Sequence, residues 1–533
     1  MSAGSVKVRA LWERHEITFT SAVRYENPLQ EAALTVTFLA PSGAERAIEG
    51  FWDGGLTWRV RFRPDEPGEW GYSTACSDVG NSGLHGQSGA FRCTGVAGDG
   101  SRFARHGPLG MSPHRRHLAH ADGTPFLWLG DTGWNAALQA SDEEWQHYAE
   151  TRQRQGFTGI QFVPANWFMS PAGDRDGELG WIGRRFIAVN PLFFQRMDRR
   201  VDSLNGMGLA AALVLLWSSP WQHPLLRQTN PGLVLPLDQA VLLARYEVAR
   251  WGASDVLWIL NGDGDYGGEK AERWRHIGRA LFGDRPHAPV TLHPCGVNWP
   301  YDDFSGEAWL DIAGYQSGHD DGESALRWLV QGPPASEWRR GPARAFMNIE
   351  PPYENHHAYS SKQPLSAHTV RRALYWSLLV SPTAGFTYGG HGVWGWDDGT
   401  QPPFAHPHSG TPLPWREALT MPAAEQVAHI AALFGSLDWP RLVPAPELLA
   451  RQPGEADVRR TVAAARTPEG DLAVLYLPEG GEVELRPGLL REGLRATWHD
   501  PRTGLQREAE GEAGGLRYLA PDAEDWVLVM REG

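Results

Sequence analysis

Lysine is almost missing from this chain: among 533 residues it occurs only at Lys7, Lys270 and Lys362, and arginine supplies nearly all the positive charge. That bias reads as a habit of base composition and says little about function. Basic residues of both kinds are outnumbered, for a formal net charge of −14. The deficit argues against nucleic acid or an anionic membrane as partner, since both demand clustered Lys and Arg. Three cysteines, Cys76, Cys93 and Cys295, are too few for a disulfide framework. Cys76 and Cys93 fall on neighbouring strand-like segments and are placed to pair in an oxidising compartment. No apolar run reaches the roughly 18 residues of a transmembrane helix. The opening MSAGSVKVRALWERHEITF lacks the apolar stretch of a secretory signal. The expected location is therefore the cytoplasm, with reduced thiols. Internal repeats and long low-complexity segments are lacking too.

Tryptophan, by contrast, is plentiful at 25 residues. An indole offers a flat apolar face on which the C–H face of a sugar ring can stack, although indoles also fill cores and domain seams. Apolar residues make up 41 % of the chain, enough for several packed cores. At roughly 100–200 residues per domain, two to four domains are expected.

Three regions follow one another. Residues 1–100 read as a β-sandwich: EITFTSAV, ALTVTFLAP and GAFRCTG are short alternating runs between turn signals. In 57–62 the polar Thr57, Arg59 and Arg61 alternate with Trp58, Val60 and Phe62, the period of a half-buried strand. Residues 101–436 alternate strand-like and helix-like segments. The strand candidates are PFLWLGDT, TGIQFVP, LAAALVLLW, DVLWILNGD, PVTLHP, LDIAGYQS, RAFMNIE and AGFTYGG. They are almost wholly apolar, as parallel strands covered on both faces must be. Helix-like stretches such as DEEWQHYAETRQRQG, introduced by the N-cap candidate Ser141, separate them. Eight βα units predict an α/β fold of the (β/α)8, or TIM, barrel type. The competing open doubly wound sheet lacks its G-x-G-x-x-G after the first strand. Residues 437–533 return to short strands after Pro440, Pro444 and Pro446, and predict a small second β-sandwich.

A barrel enzyme carries its chemistry at the C-terminal strand ends. Those ends hold Asp131 with Trp134, then Asn166, Trp217, Asn261 with Asp263, His293, Gln316 with His319, Glu350, and Tyr388 with His391 and Trp394. They offer neither a Gly-rich phosphate loop nor a serine nucleophile elbow. Asp263 and Glu350 stand at strand ends 4 and 7, facing one another across the barrel. A carboxylic acid beside a carboxylate is what glycosidic cleavage requires: one protonates the leaving oxygen, the other attacks or activates water. Asp265 competes with Asp263 for the first role. Asp131 also reads as a structural cap after strand 1, and Glu354 as a loop residue behind the site. The histidines His293, His319 and His391 keep a metal-dependent hydrolase open as a rival. However, the first strand lacks the H-x-H of barrel metallohydrolases, and the one H-x-H, His406 to His408, lies in a Pro-rich loop.

The motifs FLWLGDTGW (126–134), WILNGD (258–263), TLHP (291–294), YQSGH (315–319), IEPPYE (349–354) and FTYGGHGVW (386–394) resemble, in order, those of the apiosidase-like glycoside hydrolases. EGFWDGGLTWRVRFRPDEPGEWGY resembles the β-sandwich that often precedes this barrel, and ATWHDPRTG the small β-domain, labelled as collagen-binding, that follows it. The resemblance implies Asp263 as acid/base and Glu350 as nucleophile of a retaining glycosidase. It departs from the family where Asn261 and Ile349 replace glycines, so an apiose-containing substrate does not transfer with it. The expectation is an exo-acting retaining glycosidase on a plant- or bacterial-type oligosaccharide, needing no cofactor. In it Asp131, Asn166, Asn261, His293, Gln316, His319, Tyr388 and His391 bind hydroxyls, and Trp134, Trp217 and Trp394 stack on the ring. The alternative is a carbohydrate-binding protein on a degenerate barrel. Oligomeric state is left open.

Overall fold

The computed structural model describes residues 7–98, 100–220, 223–512 and 514–532. At its centre eight parallel strands close into a barrel. They are β1 (Trp128–Thr132), β2 (Gly159–Phe162), β3 (Ala210–Trp217), β4 (Val256–Gly262), β5 (Val290–Thr291), β6 (Ile312–Gln316), β7 (Ala345–Glu350) and β8 (Gly385–Tyr388). Every residue of all eight is buried. This is the physical reason for their unbroken apolar sequence: helices cover one face and the barrel core the other.

Local signals start the helices between the strands. After β1, Ser141 and Glu144 form a reciprocal capping box at the head of helix Asp142–Arg154, with bonds of 3.1 and 2.9 Å. After β2, Asn190 caps helix Pro191–Gly206, whose first residue is the proline that suits this position. Ser366 caps helix Ala367–Leu379 ahead of β8. Among the described residues, the connection from β5 to β6 has turns but no helix.

The (β/α)8 barrel is flanked by two β-domains, as the sequence predicts. The first pairs a five-stranded sheet with a three-stranded one, between Lys7 and Val96. Its strand Thr57–Phe62 follows the expected alternation except at Arg61, which is buried. The guanidinium crosses into the barrel domain and grips Asp198 in two bonds of 3.0 and 2.7 Å. Asp198 also takes Arg250 and the Trp251 indole, at 2.7 and 2.8 Å. Cys76 and Cys93 do not pair; both are free, buried thiols. They lie on adjacent antiparallel strands, but Cys93 stands opposite Gly68, at the far end of the strand that finishes in Cys76. Disulfide geometry needs Cα atoms within about 7 Å, which this register forbids.

Between this domain and β1 runs a three-stranded antiparallel sheet, Leu109–Met111, Leu118–His120 and Pro125–Phe126. Arg115, in one of its turns, binds Asp311 just before β6, so the sheet covers the barrel at its N-terminal end. The last domain packs a six-stranded sheet against a three-stranded one, from Val443 to Arg531. It is tied to helix Ala367–Leu379 by a buried fork from Arg371 to Asp525, both bonds 2.6 Å.

Candidate active site

The C-terminal end of the barrel opens into a cavity of about 1020 Å³ to which the segments after all eight strands contribute. Asp263 and Glu350 both line it.

Asp263 follows Gly262, the last residue of β4. A Cβ on Gly262 would come within 2.1 Å of the Trp217 ring, so glycine is what lets that indole lie against the strand end. Asp263 itself has φ +50, a left-handed conformation that Asp tolerates better than most residues. The turn presents its carboxylate to the cavity, where Gln316 donates to Oδ1 at 2.8 Å. Asp265 is absent from the cavity wall; it pairs with Lys270 at the surface.

Glu350 ends β7, and here the strand pairing slips. Tyr315 of β6 pairs with Asn348, but Gln316 pairs with Glu350, leaving Ile349 as an extra residue. This β-bulge sets Gln316 directly beside Glu350. The Ile349 side chain fills the space over Gly314, where a Cβ would meet its Cδ1 at 2.7 Å.

His293, wholly buried behind the two acids, links them. Its Nε2 is 3.2 Å from a Glu350 oxygen and its Nδ1 4.0 Å from Asp263 Oδ1. His319 Nε2 meets the other Glu350 oxygen at 2.9 Å. These contacts drive the two carboxyls apart. Burial, reinforced by the negative charge of Glu350, pushes Asp263 up to about 6. Burial would raise Glu350 as well, but the close approach of the His293 ring and the hydrogen bond with His319 outweigh it and hold that carboxyl well below its ordinary value. Near neutral pH the site therefore holds one carboxylate and one carboxyl still able to carry a proton, a division of roles set by environment alone.

The aromatic wall includes Trp134, Trp217 and Trp394, together with Trp167, Phe168 and Tyr353. Trp134 stands edge-on to both Trp217 and His293, at 5.3 and 5.1 Å between centroids. Trp217, Gln316, His319 and Trp394 also line the cavity.

Other strand-end residues are turned elsewhere. Asp131 is fully enclosed between Arg152, at 2.7 Å, and the Tyr148 hydroxyl, at 2.6 Å. Asn166 accepts from the backbone of Gly180 and Trp181 at 3.0 and 3.1 Å. Asn261 accepts from Ser218 at 2.6 Å, and Tyr388 donates to Glu354 at 2.7 Å. Glu354 takes further bonds from the Ala423 backbone, which places it behind the wall. His391 Nε2 lies 3.1 Å from Ser409. None of these five strand-end residues, nor His293, lines the cavity itself.

Tyr359 and His356 of the wall carried no signal in the sequence, and His406 stood out there only as the start of the H-x-H of the Pro-rich loop. The Nε2 atoms of His356 and His406 meet at 3.1 Å, and the Tyr359 hydroxyl lies 3.3 Å from His406. Burial pushes His406 down to about 4 and His356 lower still, so both rings are neutral acceptor–donor groups. Among the described residues, no group of three or more His, Cys, Asp and Glu is arranged to hold a metal ion.

Many solved structures match the chain, and three that share the fold illustrate it. A "Glycoside hydrolase" has TM-score 0.68 and 22 % identity over 81 % of this chain and 98 % of that one. A family 5 glycoside hydrolase from Bacteroides vulgatus has TM-score 0.67 and 20 % identity over 80 % and 94 %. A "putative glycoside hydrolase" from the same species has TM-score 0.72 and 17 % identity over 99 % and 100 %. No functionally curated protein matches the chain. The barrel and the domain that matches it define the protein as a glycosidase. Residues 112–441 match the catalytic domain described as "Apiosidase-like", and the chain belongs to that family. Residues 9–77 match a domain of unknown function, and residues 443–531 the "Putative collagen-binding domain of a collagenase". No helix among the described residues is long and apolar enough to cross a membrane.

Proposed function

We propose that the protein is an exo-acting retaining glycosidase in which Glu350 is the nucleophile and Asp263 the acid/base. The observation that carries this reading is the opposed tuning of the two carboxyls around His293: Asp263 is pushed up to about 6 and Glu350 held low. Asp263 gives its proton to the glycosidic oxygen while a Glu350 oxygen attacks the anomeric carbon. The leaving alcohol departs, and a covalent glycosyl-enzyme remains. Asp263, now ionised, takes a proton from water, which attacks the same carbon and releases Glu350. Trp134, Trp217 and Trp394 pack against the sugar, and Gln316 and His319 contact its hydroxyls. The enclosed Asp131, Asn166, Asn261, Tyr388 and His391 hold the walls that do so. A cavity ringed by all eight loops supports attack at a chain end, since an internal segment needs an open groove.

Asp263→Ala and Glu350→Ala, assayed on a panel of aryl glycosides, test the assignment. Loss of the acid/base costs about 10²–10⁴-fold on poor leaving groups. An activated leaving group restores part of the rate to Asp263→Ala and none to Glu350→Ala. Rates near wild type in either variant would sink the assignment. The first anomer formed, followed by NMR, reads retention directly.

A further inference from the structure

Gln316 closes β6 with its backbone pinned on two sides. The bulge at Ile349 pairs it with Glu350, and its carbonyl accepts from Val297 N at 2.9 Å. Val297 is held at φ +51, a conformation costly for a β-branched residue. A bond from Asn298 N to Cys295 O, at 3.2 Å, keeps that turn closed. The segment after β5 thus carries strain at the point where it fastens Gln316. The Gln316 side chain is buried, and its amide nitrogen reaches two groups at once: Asp263 Oδ1 at 2.8 Å and His293 Nδ1 at 3.0 Å.

The hydrogens in this contact have one consistent arrangement. The backbone N–H of Asp263 points at His293 Nδ1, at 3.3 Å. A backbone N–H can only donate, so Nδ1 carries no hydrogen and the ring holds its proton on Nε2. Nε2 is the atom that faces Glu350. An acceptor at Nδ1 requires the Gln316 amide to present its nitrogen there and not its oxygen. That NH2 group has two hydrogens; one serves His293 and the other Asp263 Oδ1. With Oδ1 engaged as an acceptor, the acid proton of Asp263 belongs on Oδ2.

We propose that Gln316 is a positioning residue for both catalytic carboxyls: one amide nitrogen holds Asp263 with Oδ2 as the proton-delivering atom and, with the Asp263 N–H, keeps the His293 hydrogen on the nitrogen that faces Glu350. This rests on the retaining-glycosidase reading above and adds to it how acid/base and nucleophile are held in register. As the Oδ2 proton passes to the glycosidic oxygen, the charge that develops on the carboxylate is met at Oδ1 by the Gln316 N–H. Facing Asp263 are the titratable Glu350, His293 and His319, and the Tyr266 and Tyr359 hydroxyls, whose burial keeps them neutral. The Cys295 thiol donates to its carbonyl oxygen at 3.1 Å. Burial first and Glu350 second raise the Asp263 carboxyl, and the Gln316 bond opposes them.

The pH profile of kcat/KM on aryl glycosides with a poor leaving group tests this. Gln316→Met keeps the length and loses the donor, so the alkaline decline should move up by about one pH unit, the worth of a hydrogen bond to an ionised carboxylate. Gln316→Glu keeps the shape and an acceptor oxygen but adds a like charge, so the decline should move further still. A fall in kcat of about 10-fold should accompany both shifts. A decline that stays in place in Gln316→Met overturns the proposal, whatever the loss of rate, and so does a Gln316→Glu variant with wild-type kcat.

Nitrogen NMR on ring-labelled histidine, with the His293 signals identified by their loss in His293→Gln, gives a readout that needs no turnover. The wild type should show Nδ1 bare and Nε2 protonated near neutral pH. In Gln316→Met, Nδ1 should stay bare and its resonance should move towards that of a nitrogen with fewer donors. A wild type with hydrogen on Nδ1 overturns the proposal even where the variants fail to fold, and an unmoved resonance in folded Gln316→Met does so too. If no glycoside in the panel is hydrolysed, the glycosidase mechanism has failed, and the ring-nitrogen signals decide the Gln316 contact alone.

Discussion

Strand ends β1 and β7 each carry a buried carboxylate, and their partners could hardly differ more. Asp131 faces the permanent charge of Arg152 at 2.7 Å, with both side chains at 0 % exposure. Burial works against the Arg152 charge, but Asp131 more than restores it. Glu350 faces two imidazoles, at 3.2 and 2.9 Å, and keeps an opening to the cavity. A guanidinium stays charged at every accessible pH and ties its carboxylate into the frame, although burial still raises the Asp131 carboxyl above its ordinary value. Imidazoles, one by a hydrogen bond and one by close approach, hold a carboxylate ionised without permanently neutralising it, which leaves it able to form and break a bond. The same residue class at the same rim thus does two jobs, decided by what stands behind it.

The widest contrast should appear on removing each carboxylate. Glu350→Gln should lower kcat/KM on an aryl glycoside by roughly 10⁴-fold or more, as loss of a nucleophile does, with an unchanged melting temperature. Asp131→Ala should do the reverse. It leaves the Arg152 charge buried and unpaired, at a cost of about 3–5 kcal/mol, read as a fall in melting temperature with activity per folded molecule largely kept. Replacing Asp131 and Arg152 together by leucine should recover most of that loss; no recovery would mean the pair does more than frame the barrel.

Weakening the imidazole side is a milder break. In His319→Ala, Glu350 loses its hydrogen bond with His319, so its carboxyl rises and the acid limb of the pH profile moves to higher pH. An accompanying fall of about 10-fold in kcat/KM is expected, the worth of one charge-assisted hydrogen bond. A profile that does not move would show that His319 leaves the nucleophile untouched.

In the wild type, Asp263 must be protonated to act as acid. With its carboxyl near 6, kcat/KM should decline as pH rises through that value, towards tenfold per unit beyond it. A decline centred near 4 would remove the tuning argument. The smallest effect belongs to Asp265→Asn, which loses only a surface pair with Lys270. Stability should change by less than about 1 kcal/mol and turnover not at all. A large loss of turnover there would transfer the acid/base role to Asp265.

How much of this could be read in advance varies residue by residue. The barrel announced itself because strands buried on both faces leave long apolar runs. Glu350 was legible because a lone carboxylate closing such a run has no structural excuse. Asp131 looked the same, yet its partner lies 21 residues later, on a helix that returns to cover the strand. Asp265 lies two residues from Asp263, and only the left-handed turn at Asp263 separates a cavity carboxylate from a surface one. Likewise, the substitution of Ile349 for the family's glycine became intelligible only as the extra residue of a bulge over Gly314. Arg61 broke its strand's alternation because its partner, Asp198, belongs to another domain.

Sequence by itself determined the three-part architecture, the eight strands and the identity of the groups at the barrel rim. These follow from periodicity and from residue chemistry, both local properties of the chain. Tertiary structure alone decided which rim carboxylates are tied into the frame, which are tuned against each other, and that one Gln316 nitrogen meets both Asp263 and His293. A side chain's charge state and reach depend on what surrounds it in space, and in a barrel those neighbours come from strands and loops far apart along the chain.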